Sequence, residues 1–377
     1  MPNFKNKLAF LITSTGWGGL EMNTLKLAKL LSVKGYNVHL FMQEESTIYE
    51  KGKDIFSEIH LIKKNRKYFD FKTAKSISKI LIKNKISRLL VVDNKDLDLI
   101  AWCKKRYFKE LKVVYQQHMQ IGINKKDWLH SFRFKSIDVW VSPLPFLKRE
   151  IAVRTHFPLN RVKILPIGVN TKEFESRKYT QDEAKELLNV HSDCPIIGII
   201  GRISAKKGQL FVVQALQQLV QKGIQFNLLI FGSATVNAED DKAYAEELVQ
   251  FVQKNNLQDY VYFVEYQSDV AKFYNAIDGF VLASHSETYG MVTIEAMLSG
   301  IPVLATDSGG TTEILGDGEF GALYKYNDMA DFLPKLELLI SRNQDIIDKA
   351  EIGRLDAFLR YNVEKEVEGF VEILKGL

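Results

Sequence analysis

Apolar runs alternate with amphipathic segments along the first half of the chain. Leu8–Thr13 is an apolar run, and Glu21–Val33 carries apolar residues at helical spacing up to Gly35, which ends the predicted helix. Further runs of strand length follow at Val38–Met42, Ile59–Ile62, Leu89–Val92, Val113–Gln116 and Val139–Ser142. Short, fully apolar strands separated by helices are typical of a parallel sheet that is covered on both faces.

The same pattern begins again in the second half. Pro195–Ile200 is an apolar strand that ends at Gly201, and Gln209–Lys222 is predicted to be a helix. More strands are predicted at Phe226–Phe231, Val261–Val264, Gly279–Ala283 and Pro302–Ala305. The pattern predicts an α/β protein of two doubly wound, Rossmann-like domains, with a ligand site at the carboxyl ends of the strands, in a cleft between the domains.

Length and composition agree with two ordinary cores. The chain has 377 residues, of which 46% are hydrophobic, and no apolar run approaches the ~18 residues that span a bilayer. The first apolar run enters a glycine turn and is not followed by a small-residue cleavage site, so we expect no signal peptide and a cytoplasmic protein. Cys103 and Cys194 cannot by themselves form a disulfide framework or a zinc site.

Charge is distributed very unevenly. Residues 1–170 hold 32 basic and 14 acidic residues, whereas the remainder holds 19 basic and 32 acidic residues. Two halves of opposite sign suggest two domains with different partners, and solvated lysine-rich surfaces are the plainer explanation. We expect no nucleic acid partner.

The segment Ser284–Gly300 carries the most informative chemistry. A strand ends at Ala283, a loop follows, and a helix runs from about Met291 to Ser299. Its first N–H groups and the helix dipole favour an anion such as phosphate by roughly 0.3–1 kcal/mol. Glu287 and Glu295 can accept hydrogen bonds from hydroxyl groups on each side of that phosphate. The predicted backbone donors are those of Tyr289, Gly290, Met291 and Val292.

A second cluster follows the first strand of this half. Gly201 lets the chain turn, and Arg202 and Lys207 place two cations near the predicted switch point, which suits a diphosphate leaving group. The spacing is not that of a P-loop. Lys206 is expected to be a solvated charge.

In the first half, glycines join the first strand to the first helix. Gly18 and Gly19 let a ligand approach the backbone closely, although a plain strand–helix turn has the same composition. A dinucleotide fingerprint would require glycine at position 21, where this chain has Glu21, so a dehydrogenase is disfavoured. His118, after the strand Val113–Gln116, is expected at a strand end, and the other six histidines are expected to be structural.

Two further features of the first half have open interpretations. Asp96 and Asp98 have the Asp-x-Asp spacing of metal-binding transferases but lie in the wrong half, so we predict that they are structural and that no metal is required. The basic segment Lys63–Arg88 predicts a surface helix whose lysines face solvent. Alternatively, it rests on anionic lipid, where each basic residue contributes ~1 kcal/mol.

In combination, these motifs resemble the retaining GT-B glycosyltransferases of family 4. The resemblance rests on Glu287 with Glu295, on the Gly201–Gly208 loop, on Pro166–Phe174, on Gly18–Gly19 and on His118. It implies an acceptor-binding domain of residues 1–172 together with a returning helix at 363–377, and a donor-binding domain of residues 173–362. It also implies domain closure on donor binding.

The resemblance implies roles for single residues. Arg202 and Lys207 would hold the diphosphate, Glu295 the ribose, and Glu287 the donor sugar, while His118 would contact the sugar and its phosphate. The catalytic residues would then be His118, Arg202, Lys207 and Glu287. Gly18, Gly19, Gly201 and the backbone from Tyr289 to Val292 would complete the donor site.

The expected activity is transfer of a hexosyl unit, with retention, from a nucleoside diphosphate sugar to a glycan or a polyprenyl-diphosphate-linked acceptor in cell-surface polysaccharide synthesis. UDP is preferred only because it is frequent, and no cofactor or metal is expected. The enzyme would be cytoplasmic, with a contact at the inner face of the membrane as an option. The alternatives are a nucleotide-sugar epimerase of the same fold and a nucleotide-sugar-binding protein without turnover.

Overall fold

The computed structural model describes residues 6–63, 69–235 and 238–377. The chain forms two compact units, Met1–Gly168 with Val363–Leu377 and Val169–Asn362. The predicted boundary after residue 172 lies four residues beyond the observed division, and the predicted helix at 363–377 is part of the first unit.

The first unit contains a parallel sheet of seven strands in the order β3-β2-β1-β4-β5-β6-β7. Its order reverses between β1 and β4, which makes that position the topological switch point of the sheet. The strands are β1 (Lys7–Ile12), β2 (Asn37–Gln43), β3 (Ile59–Ile62), β4 (Arg88–Val91), β5 (Lys112–Gln116), β6 (Val139–Ser142) and β7 (Val162–Ile164).

Helices connect these strands. The helices are α1 (Gly19–Val33), α2 (Thr47–Gly52), α3 (Phe71–Lys83), α4 (Leu97–Trp102), α5 (Trp128–Phe134) and α6 (Pro145–Arg154). In α3 the buried positions Ala74, Ile77 and Leu81 form one face, and the lysines of the predicted basic helix are exposed. Residues 64–68 of the basic segment lie outside the described residues.

The second unit contains a parallel sheet of six strands in the order β10-β9-β8-β11-β12-β13. Its switch point lies between β8 and β11. The strands are β8 (Ile196–Ile200), β9 (Asn227–Phe231), β10 (Val261–Val264), β11 (Gly279–Leu282), β12 (Val303–Thr306) and β13 (Ala322–Tyr324).

The helices of the second unit follow the same alternation, and the last helix of the chain, α15, returns to the first unit. These helices are α7 (Gln181–Leu187), α8 (Gln209–Gln221), α9 (Glu239–Lys254), α10 (Ala271–Ala276), α11 (Met291–Leu298), α12 (Thr311–Ile314), α13 (Met329–Ile340), α14 (Gln344–Arg360) and α15 (Val363–Lys375).

Helix α15 is held to the first unit by both apolar and polar contacts. Phe370 and Leu374 are buried in the core on the α1 face of the sheet, and burial of such a side chain contributes about 1.5–3 kcal/mol. Glu366 is also buried and accepts hydrogen bonds from the Gly168 N–H (2.9 Å) and from Gln116 Nε2 (3.1 Å). Burial raises the pKa of the Glu366 carboxyl, and Lys26 opposes that rise. The returning helix therefore belongs to the fold of the first unit.

The prediction of an α/β fold with two doubly wound sheets is confirmed. The edge strands β7 and β13, each only three residues long, were not predicted. Two of the three residues of β7 are exposed, so no apolar run marks that strand. Among the described residues, no helix is both long and apolar enough to cross a membrane.

Candidate active site

The loops that follow β8 and β11 meet at the switch point of the second unit. Lys207, at the end of the first loop, donates a hydrogen bond from Nζ to Oε1 of Glu287 in the second. Ser284 Oγ donates to the same carboxylate oxygen at 2.7 Å. Both charged side chains are partly accessible, with exposed fractions of 27% for Lys207 and 15% for Glu287. The structure thus joins two of the predicted site residues in one ion pair.

Glycine is required where these loops approach each other. Gly208 has φ +72°, and a Cβ there would lie 2.4 Å from the carbonyl oxygen of Ala283. Gly201, which has φ +141°, makes the turn at the end of β8, as predicted. A side chain at position 208 would push apart the two loops that carry Lys207 and Glu287.

The loop after β12 fixes the backbone of Glu287. The carbonyl oxygen of Glu287 accepts a hydrogen bond from the Gly310 N–H at 2.8 Å. A Cβ at Gly309, which has φ +64°, would lie 2.3 Å from that carbonyl oxygen. No role was predicted for this glycine pair, although a glycine doublet in the loop after a predicted strand is a signal that could have found it.

Helix α11 begins next to Glu287. Its N-cap is Gly290, in a left-handed conformation with φ +74°, and no side chain caps the first turn. The early N–H groups of an α-helix have no partner within the helix, so those of Met291 and Val292 are oriented to bind an anion. Tyr289 is buried, and its ring packs at 6.2 Å from that of Tyr361. The structure therefore places the predicted anion-binding turn beside the ion pair.

Glu295, on α11, is oriented by a tyrosine that the sequence analysis missed. The hydroxyl oxygen of Tyr274 lies 2.9 Å from Oε2 of Glu295 and 3.1 Å from the carbonyl oxygen of Val292. Burial raises the pKa of Tyr274 well above its ordinary value, and the negative charge of Glu295 adds to the rise. The hydroxyl is therefore a donor throughout the neutral range. Tyr274 lies on α10, 21 residues before Glu295, and no motif around it marks it as a site residue.

Arg202 is the most accessible of the predicted cations. Its side chain is 58% exposed; Nε lies 3.8 Å from Oδ2 of Asp241, and Nη1 lies 3.4 Å from Oγ1 of Thr235. Its backbone carbonyl accepts a hydrogen bond from Gln209 Nε2 at 2.9 Å. The backbone of Arg202 is thus fixed, while its guanidinium group lies near Asp241 on α9 and near Thr235.

In the first unit, Gly18 and Gly19 lie where α1 begins. Gly18 is the N-cap and has an extended backbone, with φ −168°. A Cβ at Gly19 would meet nothing within 4 Å. Because neither backbone conformation nor protein contacts require glycine at position 19, the predicted close approach of a ligand stays a prediction.

His118 follows β5 and is only half-buried as a residue, but its Nε2 atom is fully buried. Within the described part of the chain, this nitrogen has no hydrogen-bond partner. Burial lowers the pKa of His118 to about 4, and the positive charge of Lys26 contributes to the shift. The imidazole is therefore neutral near pH 7, and its predicted contact with the donor sugar stays a prediction.

The Asp-x-Asp carboxylates are occupied by protein partners. Asp96 is buried and accepts hydrogen bonds from Thr13, from the N–H at 3.0 Å and from Oγ1 at 2.5 Å. Burial raises the pKa of Asp96 to about 7. Asp98 forms an ion pair with Arg133. These contacts support the structural interpretation of both aspartates.

Residues 180–352 match the sequence profile of the family described as glycosyl transferases group 1. This match covers most of the second unit. The recognition of a glycosyltransferase from the sequence motifs is thereby confirmed at the level of the family, while membership of family 4 and retention stay predictions. The predicted roles of the site residues also stay predictions.

A curated relative agrees with this assignment. The capsular polysaccharide biosynthesis glycosyltransferase CapM of Staphylococcus aureus is 31% identical over 201 residues, which is 52% of this chain and 50% of CapM. The chain spans about half the length of the curated relatives it matches.

Solved structures show the fold over nearly the whole chain. A glycosyltransferase from Rickettsia africae ESF-5 matches with a TM-score of 0.87 and 20% identity, covering 98% of each chain. Anabaena Alr3699/HepE in complex with UDP and glucose matches with a TM-score of 0.82 and 18% identity, covering 98% of this chain and all of the other. Such identities show the fold alone, and the predicted GT-B class is confirmed.

Proposed function

We propose that the protein is a retaining glycosyltransferase that moves a hexosyl unit from a nucleoside diphosphate sugar to a glycan or lipid-linked acceptor. The observation that carries this proposal is the Lys207–Glu287 ion pair beside the uncapped start of α11, at the switch point of the second unit. One site then offers a cation, a carboxylate and backbone N–H groups, which match a diphosphate and the hydroxyl groups of a sugar.

The cations stabilise the departing nucleotide. When the bond between the anomeric carbon and the diphosphate oxygen breaks, its electron pair remains on that oxygen, and negative charge develops there. We assign stabilisation of this charge to Lys207 and to the N–H groups at the start of α11, and Arg202 is exposed enough to turn towards it. Preorganised groups of this kind are often the largest catalytic contribution of a site.

The carboxylates select the hydroxyl groups. Glu287 already accepts a hydrogen bond from Ser284, which holds its carboxylate in place. A sugar hydroxyl can then donate to this carboxylate, either in place of Lys207 or together with it. Glu295, fixed by Tyr274, is assigned to the ribose. In the first unit, the neutral His118 and the glycine turn at Gly18 are assigned to the donor sugar.

We assign retention of the anomeric configuration to front-face attack, in which the acceptor oxygen bonds to the anomeric carbon and its proton passes to the departing phosphate. The product anomer, measured by NMR with a donor of known configuration, tests this assignment. An inverted product would exclude it.

Uridine is the proposed base, and a cell-surface polysaccharide the proposed product. The first is supported by the structural likeness to a protein solved with UDP and glucose, and the second by the sequence likeness to a capsule-synthesis transferase. A thermal-shift screen over nucleotide sugars tests the donor. The largest rise in melting temperature is expected with a UDP-hexose, and a larger rise with another base would replace uridine.

Turnover separates the proposed activity from its alternatives. With donor and acceptor panels, release of nucleotide together with a glycosylated acceptor is expected. Conversion of the donor sugar without transfer would indicate an epimerase, and donor binding without any turnover would indicate a binding protein. Chelation by EDTA is expected to leave the rate unchanged; a loss restored by Mg²⁺ or Mn²⁺ would show that metal is required.

Membrane contact through α3 is part of the proposal for a lipid-linked acceptor. The exposed Lys72, Lys75, Lys79 and Lys83 can lie along an anionic surface. Flotation with vesicles tests this contact: binding is expected with anionic lipid and not with neutral lipid. Absence of binding to both would leave α3 a solvated surface helix.

A further inference from the structure

Three side chains with metal-binding chemistry meet at the edge of the first sheet. They are His39 on β2, Glu58 just before β3, and His60 on β3, and one ligand atom from each lies within 4.8 Å of the others. His39 and Glu58 lie near the amino ends of their strands, whereas ligands of such sheets bind at the carboxyl ends. The cluster is therefore separate from the proposed transfer chemistry.

Strand register brings the three residues together. β2 and β3 are parallel, Leu40 pairs with Ile59, and the Leu40 N–H donates to the Glu58 carbonyl at 2.8 Å. Alternate residues of a strand point to the same face, so Glu58 and His60 share the face that His39 occupies on the neighbouring strand. His39 and His60 were predicted to be structural because no motif surrounds them. They lie 21 residues apart, so the sequence does not show this pairing.

The distances suit one tetrahedral zinc ion. His39 Nδ1 lies 3.1 Å from His60 Nε2 and 3.6 Å from Oε2 of Glu58. Zinc binds imidazole nitrogen at about 2.0–2.1 Å, which places two such nitrogens roughly 3.3 Å apart on a tetrahedron. The Glu58 side chain is 45% exposed, so a small rotation can bring its carboxylate closer.

Glu58 supplies a negative charge beside the two imidazole rings, and zinc binds both carboxylate oxygen and imidazole nitrogen.

His39 is 1% exposed, and its Nδ1 atom is the ring nitrogen that faces both His60 and Glu58.

We propose that His39, Glu58 and His60 form a zinc site that ties the edge strand β3 to β2. Two histidines and a carboxylate with nitrogen and oxygen donors are a ligand set that zinc takes readily, with water in the fourth position. Access is from the side of Glu58, the exposed member. The site stabilises the first unit and takes no part in the transfer step.

Direct titration tests the site. The purified chain is treated with EDTA, desalted and titrated with ZnCl₂ by calorimetry. About one equivalent is expected to bind, with a rise in melting temperature. Co²⁺ should give the visible absorption of a tetrahedral complex.

The variants His60→Ala and Glu58→Gln change accessible ligands and avoid the fully buried His39. Each is expected to weaken zinc binding by more than the ~10–100-fold that loss of an outer-shell partner costs. The matched control is His130→Ala, which removes a histidine from another histidine–carboxylate pair, with Asp127, and should bind zinc like the wild type.

Two results would overturn the proposal. One is the absence of stoichiometric Zn²⁺ binding, which would mean that His39 and His60 share only a hydrogen bond. The other is equal binding by the wild type and His60→Ala, which would place the ion elsewhere. Folding of each variant is checked by circular dichroism.

Discussion

The two switch points have the same topology, but their charged side chains differ in accessibility. In the second unit, Lys207 and Glu287 connect the loops after β8 and β11 and remain partly accessible. In the first unit, Asp96 and Thr13 connect the loops after β4 and β1, and Asp96 is fully buried. Topology brings polar groups to both places, and burial decides whether they are available to a ligand.

The physical reason is the free-energy cost of replacing a protein hydrogen-bond partner by a ligand. Lys207 and Glu287 keep 27% and 15% of their side-chain surface exposed, so a diphosphate can reach the pair and replace one partner. A buried carboxylate that satisfies two donors of Thr13 cannot be exchanged without leaving those donors unpaired. The same arrangement of strands therefore gives a candidate reaction site in one unit and a structural clamp in the other.

The strongest way to break this comparison is to remove the accessible pair. Lys207→Ala and Glu287→Ala are each expected to lower turnover at least ~100-fold, because one electrostatic partner of a developing charge is typically worth that much. Steady-state nucleotide release measures the effect. The matched control is Lys206→Ala, which removes an exposed neighbouring lysine and should keep nearly wild-type turnover. Equal rates in all variants would remove the switch point from the reaction.

The second prediction asks whether the neutral imidazole of His118, in the first unit, also contributes to turnover. His118→Ala is expected to lower turnover about 100-fold, while His156→Ala, at an exposed position, should change little. Because the pKa of His118 is lowered to about 4, its imidazole stays neutral from pH 5 upwards. The pH–rate profile should therefore show no loss from protonation of His118 near pH 6.5. Such a loss that disappears in His118→Asn would contradict this.

The close approach of the two loops can be tested through stability. Gly208→Ala places a Cβ against the Ala283 carbonyl at positive φ, and we expect it to lower the free energy of unfolding by about 1–3 kcal/mol. Gly223→Ala is the control, since Gly223 has φ +83° but open space around it, and should cost only about 1 kcal/mol. Urea unfolding measures both. Equal losses would show that backbone conformation, and not loop contact, requires the glycine.

The last prediction concerns the pH dependence of stability that the buried Asp96 confers. The pKa of Asp96 is raised to about 7 in the folded state, so between its ordinary pKa and pH 7 the folded chain binds a proton that the unfolded chain releases. Stability therefore falls as pH rises through this window, by up to about 1.4 kcal/mol per pH unit from this group. Asp96→Asn should flatten that slope in urea unfolding at pH 5 to 8, and the exposed Asp54→Asn should not. An unchanged slope in Asp96→Asn would mean that the carboxyl is ionised when folded.

Features that depend on neighbouring residues in the sequence could be predicted, and features that depend on distant contacts could not. The central strands were predictable because each is a short apolar run, whereas β7 and β13 have too few buried residues to form one. In the candidate site, Glu287 and Lys207 were marked by loop motifs. Tyr274 was not, because only packing of α10 against α11 gives it a partner.

The sequence by itself determined the two doubly wound units and marked Lys207 and Glu287, which the structure joins in an ion pair. Periodicity and glycine turns act over a few residues and are therefore visible along the chain. Only the tertiary structure decided which polar groups are exchangeable and which are clamped, and that His39 meets Glu58 and His60. Burial and strand register depend on contacts between residues that are distant in sequence, which no local pattern records.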